Sequence, residues 1–168
     1  MRHQTRRLLR ISLLAVPGTL ALATSGAAPN DCWMTGGGSI FDTTGSEVAY
    51  TGRTTHGFEI HCDTRNPNNL EINWGGNRFH LQDLQAANCF DDPNIAPNPP
   101  GASFDTFVGV GVGKYNGVPG FCASWTFTDA GEPGTADTAT IAITDCAGTT
   151  VLSTSGPLVR GNHQAHSK

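Results

Sequence analysis

The chain has 168 residues, a formal charge of -4 at pH 7 and only 14% charged residues, together with 21 glycines, 10 prolines and 5 cysteines. A chain of this length is expected to form one domain, and its apolar fraction is sufficient for a packed core, which argues against wholesale disorder. Its few Lys and Arg residues argue against nucleic acid or an anionic membrane surface as a partner, because both require clustered basic side chains.

The first 27 residues have the pattern of a secretory signal peptide. Four arginines precede an apolar run over 11–23, and small residues follow it. An N-terminal membrane anchor is the alternative, but this run is shorter than the roughly 18 to 20 apolar residues of a membrane span. Residues 28–168 are therefore predicted to be a single β-rich extracellular domain, secreted or exposed on the cell envelope, with no membrane span after cleavage. That part keeps six basic and all fourteen acidic residues, a formal charge of -8.

The predicted mature part is rich in Thr and Gly and poor in the residues that favour helices. Short segments in which apolar and polar residues alternate recur along it, separated by turn residues. This pattern predicts an all-β fold, an antiparallel β-sandwich or Greek-key-like single domain.

The first predicted strands lie in the N-terminal half. One is expected before Tyr50, around the glycines at 36–38. The next has Phe58, Ile60 and Cys62 on one face and polar residues on the other, as a half-buried strand requires.

A hairpin and a long loop follow. Apolar residues alternate over 70–74 and over 79–81, and Gly75 and Gly76 between them supply the positive φ angles of a tight turn. The Pro-rich stretch over 91–103 cannot continue a central strand, so it is predicted to cross the surface in an extended form.

In the C-terminal half, Val and Gly alternate from Val108 to Gly113. The bare glycine face predicts the close approach of another backbone or of an aromatic ring, or strong local bending. The remaining strands are predicted over 121–127, 139–143, 151–158 and 160–166.

All five cysteines lie in the predicted exported part, where disulfides form and persist. Cys122 and Cys146 are predicted to pair. The hairpin register that places them opposite each other also places Trp125 opposite Ile143, so one register accounts for both faces of the two strands.

Cys62 and Cys89 form the second predicted disulfide. Three consecutive antiparallel strands would return these two residues to the same end of the sheet. Cys32 is then left over: it is free, it forms an intermolecular disulfide, or it is the true partner in a different pairing.

The acidic loop over 129–137 contains the best candidates for a metal site. Asp129, Glu132 and Asp137 could supply hard oxygen ligands for calcium. Their spacing fits no strict calcium-binding loop, and Gly131 and Pro133 between them are residues that any tight turn uses. A calcium site and a plain turn therefore both stay open, and no other cofactor is expected.

The chain has none of the motifs of known nucleophilic, zinc-dependent or nucleotide-dependent enzymes, so no catalytic residue is assigned. Glu59, His61, Asp63 and Glu71 could share an outer face of the sheet, where carboxylates and a histidine could do acid–base work. Polar residues on the solvent side of a strand give the same pattern without any chemistry.

Three tryptophans and two C-terminal histidines complete the candidates. Trp33 could offer a sugar-stacking surface if it is exposed, whereas Trp74 and Trp125 fall on predicted inward faces and are expected in the core. His163 and His166 are expected to be solvated residues near the C-terminus.

Several motifs together resemble a known family. The chain is similar to the uncharacterised bacterial domain that follows choice-of-anchor-P modules in exported proteins, which implies a secreted, β-rich domain without an assigned activity. Two departures are that the last motif of that family usually has apolar residues where this chain has His163 and Ala165, and that five cysteines are not a fixed feature of it. The matching motifs are Thr35-Gly36-Gly37-Gly38, Asn116-Gly117-Val118-Pro119-Gly120, Asp129-Ala130-Gly131-Glu132-Pro133-Gly134 and Gly161-Asn162-His163-Gln164-Ala165-His166.

The sequence thus predicts a non-catalytic exported module with a role in adhesion, envelope structure or ligand binding, whose partner is unknown. The alternative is a small secreted hydrolase that acts on polysaccharide or peptide. A concave pocket that contains His61, Glu59 and Glu71 would favour the enzyme, and a flat solvated face would favour the module.

Overall fold

The chain folds into strands because its apolar residues recur at every second position, which places them on one face of a pleated backbone. The computed structural model describes residues 31–46, 48–96 and 101–168, and the predicted signal peptide over 1–27 lies outside them. The described part contains nine strands: β1 (Cys32–Ile40), β2 (Thr54–His61), β3 (Asn69–Trp74), β4 (Asn77–Phe90), β5 (Thr106–Tyr115), β6 (Val118–Thr128), β7 (Thr138–Thr144), β8 (Thr150–Pro157) and β9 (Arg160–Ser167). No helix within the described ranges is long and apolar enough to cross a membrane.

All nine strands belong to a single sheet, in the order β8-β7-β6-β5-β4-β3-β2-β1-β9, and their pairings are antiparallel. The predicted all-β fold is confirmed. The two packed sheets of a sandwich are replaced by one sheet that curls around its own core. From β1 to β8 each strand pairs with the next one along the chain, so no described connection carries the chain across to a second sheet.

The inner face of the curled sheet holds the hydrophobic core. The inward faces predicted for β2, β3, β6 and β7 are confirmed, because local alternation of apolar residues decides which face of a strand is buried. Their side chains, with those of the adjacent β4, are less than a tenth exposed at Phe58, Ile60, Leu70, Ile72, Trp74, Phe79, Leu81, Ala123, Trp125, Phe127, Ala139, Ile141 and Ile143.

The connection between β8 and β9 dictates the curl. These two strands lie at opposite edges of the sheet, yet only Leu158 and Val159 separate them in the chain. So short a link spans only about 10 Å, so the two edges must meet. The N–H of Leu158 donates to the carbonyl of Asp137 and the N–H of Val159 donates to the carbonyl of Ser39, each at 2.9 Å.

The segment that follows β1 covers the outer edge of β8. The N–H groups of Thr43 and Tyr50 donate to the carbonyls of Ser155 and Ser153, each at 2.8 Å. In return, the N–H of Ser155 donates to Oδ1 of Asp42 at 2.9 Å. These bonds occupy backbone groups that an open edge would offer to another strand.

The alternating Val and Gly residues of β5 turn their glycines to the core. Gly109 and Gly111 are buried, whereas Val110 on the other face is 40% exposed. A Cβ atom on Gly109 would overlap the indole ring of Trp125, and one on Gly111 would lie 2.6 Å from Cδ1 of Leu81. The predicted close approach of an aromatic ring to this bare face is therefore confirmed.

Both predicted disulfides are present. Cys62 and Cys89 have a Cα–Cα distance of 5.9 Å, and Cys122 and Cys146 one of 5.0 Å. Because β3 begins only at Asn69, the first bond joins the end of β2 to β4 beyond the end of β3. The two disulfides indicate an oxidising, extracytoplasmic environment.

The strand register predicted around Cys122 is wrong by two residues. Cys122 lies opposite Thr144, and Trp125 lies opposite Ile141. Cys146 lies beyond the end of β7 with a φ of 60°. Cys146 lies inside a turn over 145–149, in which Oδ1 of Asp145 accepts the N–H groups of Ala147 and Thr149, and the bridge to Cys122 therefore runs diagonally. The faces are unchanged, because a shift of two residues preserves the alternation.

Replacement of Gly109 by Ala tests the packing of β5 against Trp125. We expect Gly109→Ala to lower the free energy of unfolding by about 1–3 kcal/mol, because the added methyl group overpacks the core. Gly57→Ala is the matched control: Gly57 also lies within a strand, but a Cβ there meets no atom within 4 Å. Urea denaturation of both variants measures the difference, and equal stability of the two would contradict the packing described here.

Candidate functional site

An open cleft lies over the outer face of β1 and β2. We call it the Trp33 cleft; it has a volume of about 380 Å³ and is lined by Asp31, Trp33, Glu59, His61, Asn66, Pro67 and Lys168. Strand β1 supplies Trp33 and β2 supplies Glu59 and His61, because outward positions alternate with the core positions Met34 and Ile60. These three side chains are therefore placed by the same alternation that builds the core.

Trp33 is the centre of a row of three aromatic side chains. His61 and His166 are its direct neighbours on the two strands that pair with β1. Their ring centroids lie 6.5 Å and 5.0 Å from that of Trp33, in stacked arrangements. Nε2 of His166 also lies 2.8 Å from Oγ1 of Thr35, which holds that ring in place. The indole is thus flanked by a histidine on each side, and it borders the cleft.

The four residues predicted to share an outer face are divided among three places. Glu59 and His61 line the Trp33 cleft. Glu71 lies in a second cleft of about 370 Å³, where one of its oxygens is 3.1 Å from Nδ1 of His80. Asp63 lies in the loop after β2, and the hydrogen bonds and charge of Arg65 lower its pKa to about 2. The structure therefore brings together one carboxylate and one histidine of the predicted acid–base group.

The carboxylates of Asp129 and Asp137 bind the outer edge of β9. The N–H of Ala165 donates to Oδ2 of Asp129, and the N–H of His163 donates to Oδ2 of Asp137, each at 2.8 Å. Their other oxygens accept N–H groups of the loop itself, from Gly131 and Ala130. All four carboxylate oxygens thus have backbone donors, and the edge of β9 is satisfied by side chains in place of another strand.

Glu132 lies at the rim of the same loop. Its Oε1 accepts the side-chain amides of Asn162 and Gln164 at 2.8 Å and 2.9 Å. Within the described residues, no group of three or more His, Cys, Asp or Glu side chains has the arrangement of a metal site. Calcium binding by Asp129, Glu132 and Asp137 stays a prediction, and the hydrogen bonds give these carboxylates a structural role without an ion.

Two histidines form a hydrogen-bonded pair inside the protein. Nε2 of His56 lies 2.8 Å from Nε2 of His163, and Nδ1 of His163 lies 3.0 Å from the carbonyl oxygen of Thr128. A carbonyl only accepts, so His163 carries its proton on Nδ1 and accepts at Nε2. His56 must then donate from Nε2, and its bare Nδ1 is buried without a hydrogen-bond partner.

This pair is held in the neutral state by its surroundings. His163 is fully buried and His56 is 6% exposed, and the rings pack against Phe58 and Phe127 at centroid distances of 5.0–6.0 Å. Burial, with the repulsion of His163, lowers the pKa of His56 to about 3. Burial lowers the pKa of His163 to about 4, against the raising effects of its bond to Thr128 and of nearby Asp129.

The expectation that His163 is a solvated residue is wrong, and the His56 pair was missed by sequence reasoning. The two rings are 107 residues apart in the chain, so no local pattern connects them. One signal was present: the family that the last motif resembles has apolar residues at the positions of His163 and Ala165, which are positions of the inner face. Trp74 and Trp125 lie in the core as predicted, at 4% and 2% exposed.

No family model, curated protein or solved structure matches this chain. The resemblance to the domain that follows choice-of-anchor-P modules therefore stays a prediction. The function of the site has to be argued from its own geometry.

Replacement of Asp137 tests whether its carboxylate holds the edge of β9. In Asp137→Asn one oxygen becomes an NH₂ group that faces a backbone N–H, and we expect a loss of about 1–3 kcal/mol in the free energy of unfolding. Faster hydrogen exchange at His163 would locate the loss in β9. Glu132→Gln is the control, since it keeps an oxygen for Asn162 and should change stability by less than about 0.5 kcal/mol. A stable Asp137→Asn variant would contradict the role of this carboxylate.

The buried pair makes stability fall with acidification. The unfolded chain takes up protons on His56 and His163 near pH 6.5, and the folded chain only near pH 3 and pH 4. The stability due to the neutral pair is thus full above about pH 6.5 and is lost as the pH falls towards 4. Asp137 acts in the opposite sense: burial, with the charges of Asp129 and Glu132, raises its pKa to about 6, so its protonation offsets part of that loss.

The variant His56→Gln separates the contribution of the histidine pair to the pH dependence of stability from that of Asp137. Its side-chain amide can still donate to His163 but does not titrate, so the dependence of the unfolding free energy on pH should flatten by up to about 1.4 kcal/mol per pH unit between pH 6 and 4. Urea denaturation at a series of pH values measures the slope. Ile141→Val provides the control, because it shortens a buried side chain without removing a titratable group and should lower stability while keeping the slope of the natural protein. An unchanged slope in His56→Gln would refute the assignment.

Proposed function

We propose that this protein is an exported, non-catalytic module that binds a neutral saccharide in the Trp33 cleft. The proposal rests on one observation: an open cleft on the sheet that combines the indole of Trp33 with two carboxylates, from Asp31 and Glu59. Carboxylates accept hydrogen bonds from sugar hydroxyls, and an aromatic side chain supplies apolar contact to the C–H groups of the sugar.

The charge of the cleft supports a neutral ligand over an anionic one. Lys168 is the one basic side chain among the residues that line it, and its Nζ lies 4.0 Å from a carboxylate oxygen of Asp31. The predicted mature chain is itself strongly acidic, so an anionic ligand would be repelled. The cleft is also open and as polar as it is apolar, which suits a hydrated polyhydroxyl ligand better than a fully apolar one.

Export is part of the proposal. The signal-like pattern over 1–27 and the two disulfides support it together, since disulfides persist outside the reducing cytosol. Adhesion to a surface polysaccharide is the role that agrees best with a disulfide-braced sheet that presents an open cleft.

The alternative is a small secreted hydrolase. One observation favours it: Glu59 and His61 line the same cleft, as acid–base catalysis requires. Against it, Glu71 lies in the other cleft beside His80, so the predicted pair of carboxylates is not assembled in one place. If the natural protein released reducing ends from polysaccharide and Glu59→Gln did not, the protein would be a hydrolase and the proposal of a non-catalytic module would be wrong.

Binding is tested by affinity electrophoresis in gels that contain one of a series of neutral polysaccharides. We expect at least one of them to retard the natural protein, and Trp33→Ala and Glu59→Gln to weaken the binding about tenfold or more, as the loss of a central aromatic contact or a charged acceptor does.

Glu71→Gln is the matched control, because it removes a carboxylate from the same outer face but from the second cleft. Its retardation, measured against a gel without polysaccharide because the substitution removes one charge, should equal that of the natural protein. The proposal is wrong if no polysaccharide retards the protein, or if all three variants bind equally well. Thermal melting of each variant separates lost binding from lost folding.

A further inference from the structure

Cys32, the fifth cysteine, lies directly opposite one half of a disulfide. The ladder between β1 and β2 pairs Trp33 with His61, and the next pair outward is Cys32 with Cys62. The N–H of Cys62 donates to the carbonyl of Cys32 at 3.0 Å, so the ladder continues through this pair. Residues that lie opposite each other in an antiparallel ladder project to the same face of the sheet.

Cys62 therefore has two cysteines at bridging distance. Hydrogen-bonded partners in an antiparallel pair have Cα atoms about 5.5 Å apart, within the range of roughly 4.4–6.8 Å that a disulfide needs. Its present partner, Cys89, has a Cα–Cα distance of 5.9 Å. By backbone position, a bond to Cys32 is as accessible to Cys62 as the bond that it has.

The three cysteines lie together at one end of the core. Cys32 is fully buried and Cys89 is 3% exposed, whereas Cys62 is half-buried against the same core. The Cys32 thiol lies 3.6 Å from Oγ of Ser103. A bond from Cys32 to another chain would require this end of the sheet to open, so the accessible partner for its thiol is internal.

We propose that Cys32 exchanges with the Cys62–Cys89 disulfide. The Cys32 thiolate attacks Sγ of Cys62, the bond between Cys32 and Cys62 forms as the bond to Cys89 breaks, and the electron pair leaves on Sγ of Cys89. The proton that Cys32 gave up ends on Cys89. One disulfide and one thiol exist before and after the step, so no oxidant or reductant is consumed.

The exchange moves the disulfide from one pair of strands to another. In the present arrangement the bond ties β2 to β4 beyond the end of β3. After exchange it ties β1 to β2, and the end of β4 keeps only its pairing with β5. The protein thus has two covalent forms of equal oxidation state, and they differ in whether β4 is covalently linked to β2.

The natural protein provides the test, because trypsin separates the three cysteines. Cleavage at Arg53, Arg65, Arg78 and Lys114 leaves Cys32, Cys62 and Cys89 on different peptides, whereas Cys122 and Cys146 share one. The protein is incubated at about pH 8.5, where thiols ionise appreciably. It is then quenched in acid, labelled with N-ethylmaleimide in denaturant and mapped without reduction by mass spectrometry.

Exchange predicts that label moves from Cys32 to Cys89 until its distribution is constant, and that an equal amount of the Cys32–Cys62 linked peptide appears. The distribution should not change on dilution, since the step is internal. In the control Cys32→Ser, Cys89 should carry no label. Label confined to Cys32 at every time point overturns the proposal, as does label on Cys89 that depends on protein concentration or that persists in Cys32→Ser.

Discussion

The link of two residues between β8 and β9 is the constraint on which the rest of the structure depends. It ties together the two strands that lie at opposite edges of the sheet, so the sheet has to curl until its edges meet. The curl encloses the inner face as a core without a second sheet. It also brings the loop after β6 against β9, which would otherwise be far away on a flat sheet.

Where the edges meet, carboxylate side chains and a loop backbone form the hydrogen bonds that a further strand would otherwise form. Asp129 and Asp137 accept N–H groups of β9, and the segment after β1 bonds to β8. Acidic residues in a loop are commonly considered first as metal ligands or catalytic groups. Here the backbone donors of an edge strand need acceptors, and carboxylates supply them. The buried pair of His56 and His163 lies beside this junction of the two edges. His163 of β9 bonds to the carbonyl of Thr128 at the end of β6, and it bonds to His56 of β2 on the other side of β1.

The outer face of β1 and β2 differs from the junction of the two edges, because it borders an open cleft. The cleft beside Trp33 is open to solvent. The ladder beneath it fixes the positions of Trp33, Glu59 and His61, and Trp33 packs between His61 and His166. Side chains that are held in place at the border of an open cleft are those that a binding surface can employ, which is why the saccharide proposal rests there.

The sequence by itself determined the strands, their inward faces and the two disulfides. Alternation is a local property, so residues such as Ile60, Trp125 and Ile141 could be assigned to the core from their neighbours alone. The glycine face of β5 could be interpreted in the same way. Tertiary structure decided the single curled sheet, the diagonal bridge of Cys122, the role of Asp137 and the burial of His163. The last three depend on a partner 24 to 107 residues away, the single sheet depends on the still more distant pairing of β1 with β9, and no short pattern records which distant group will arrive there.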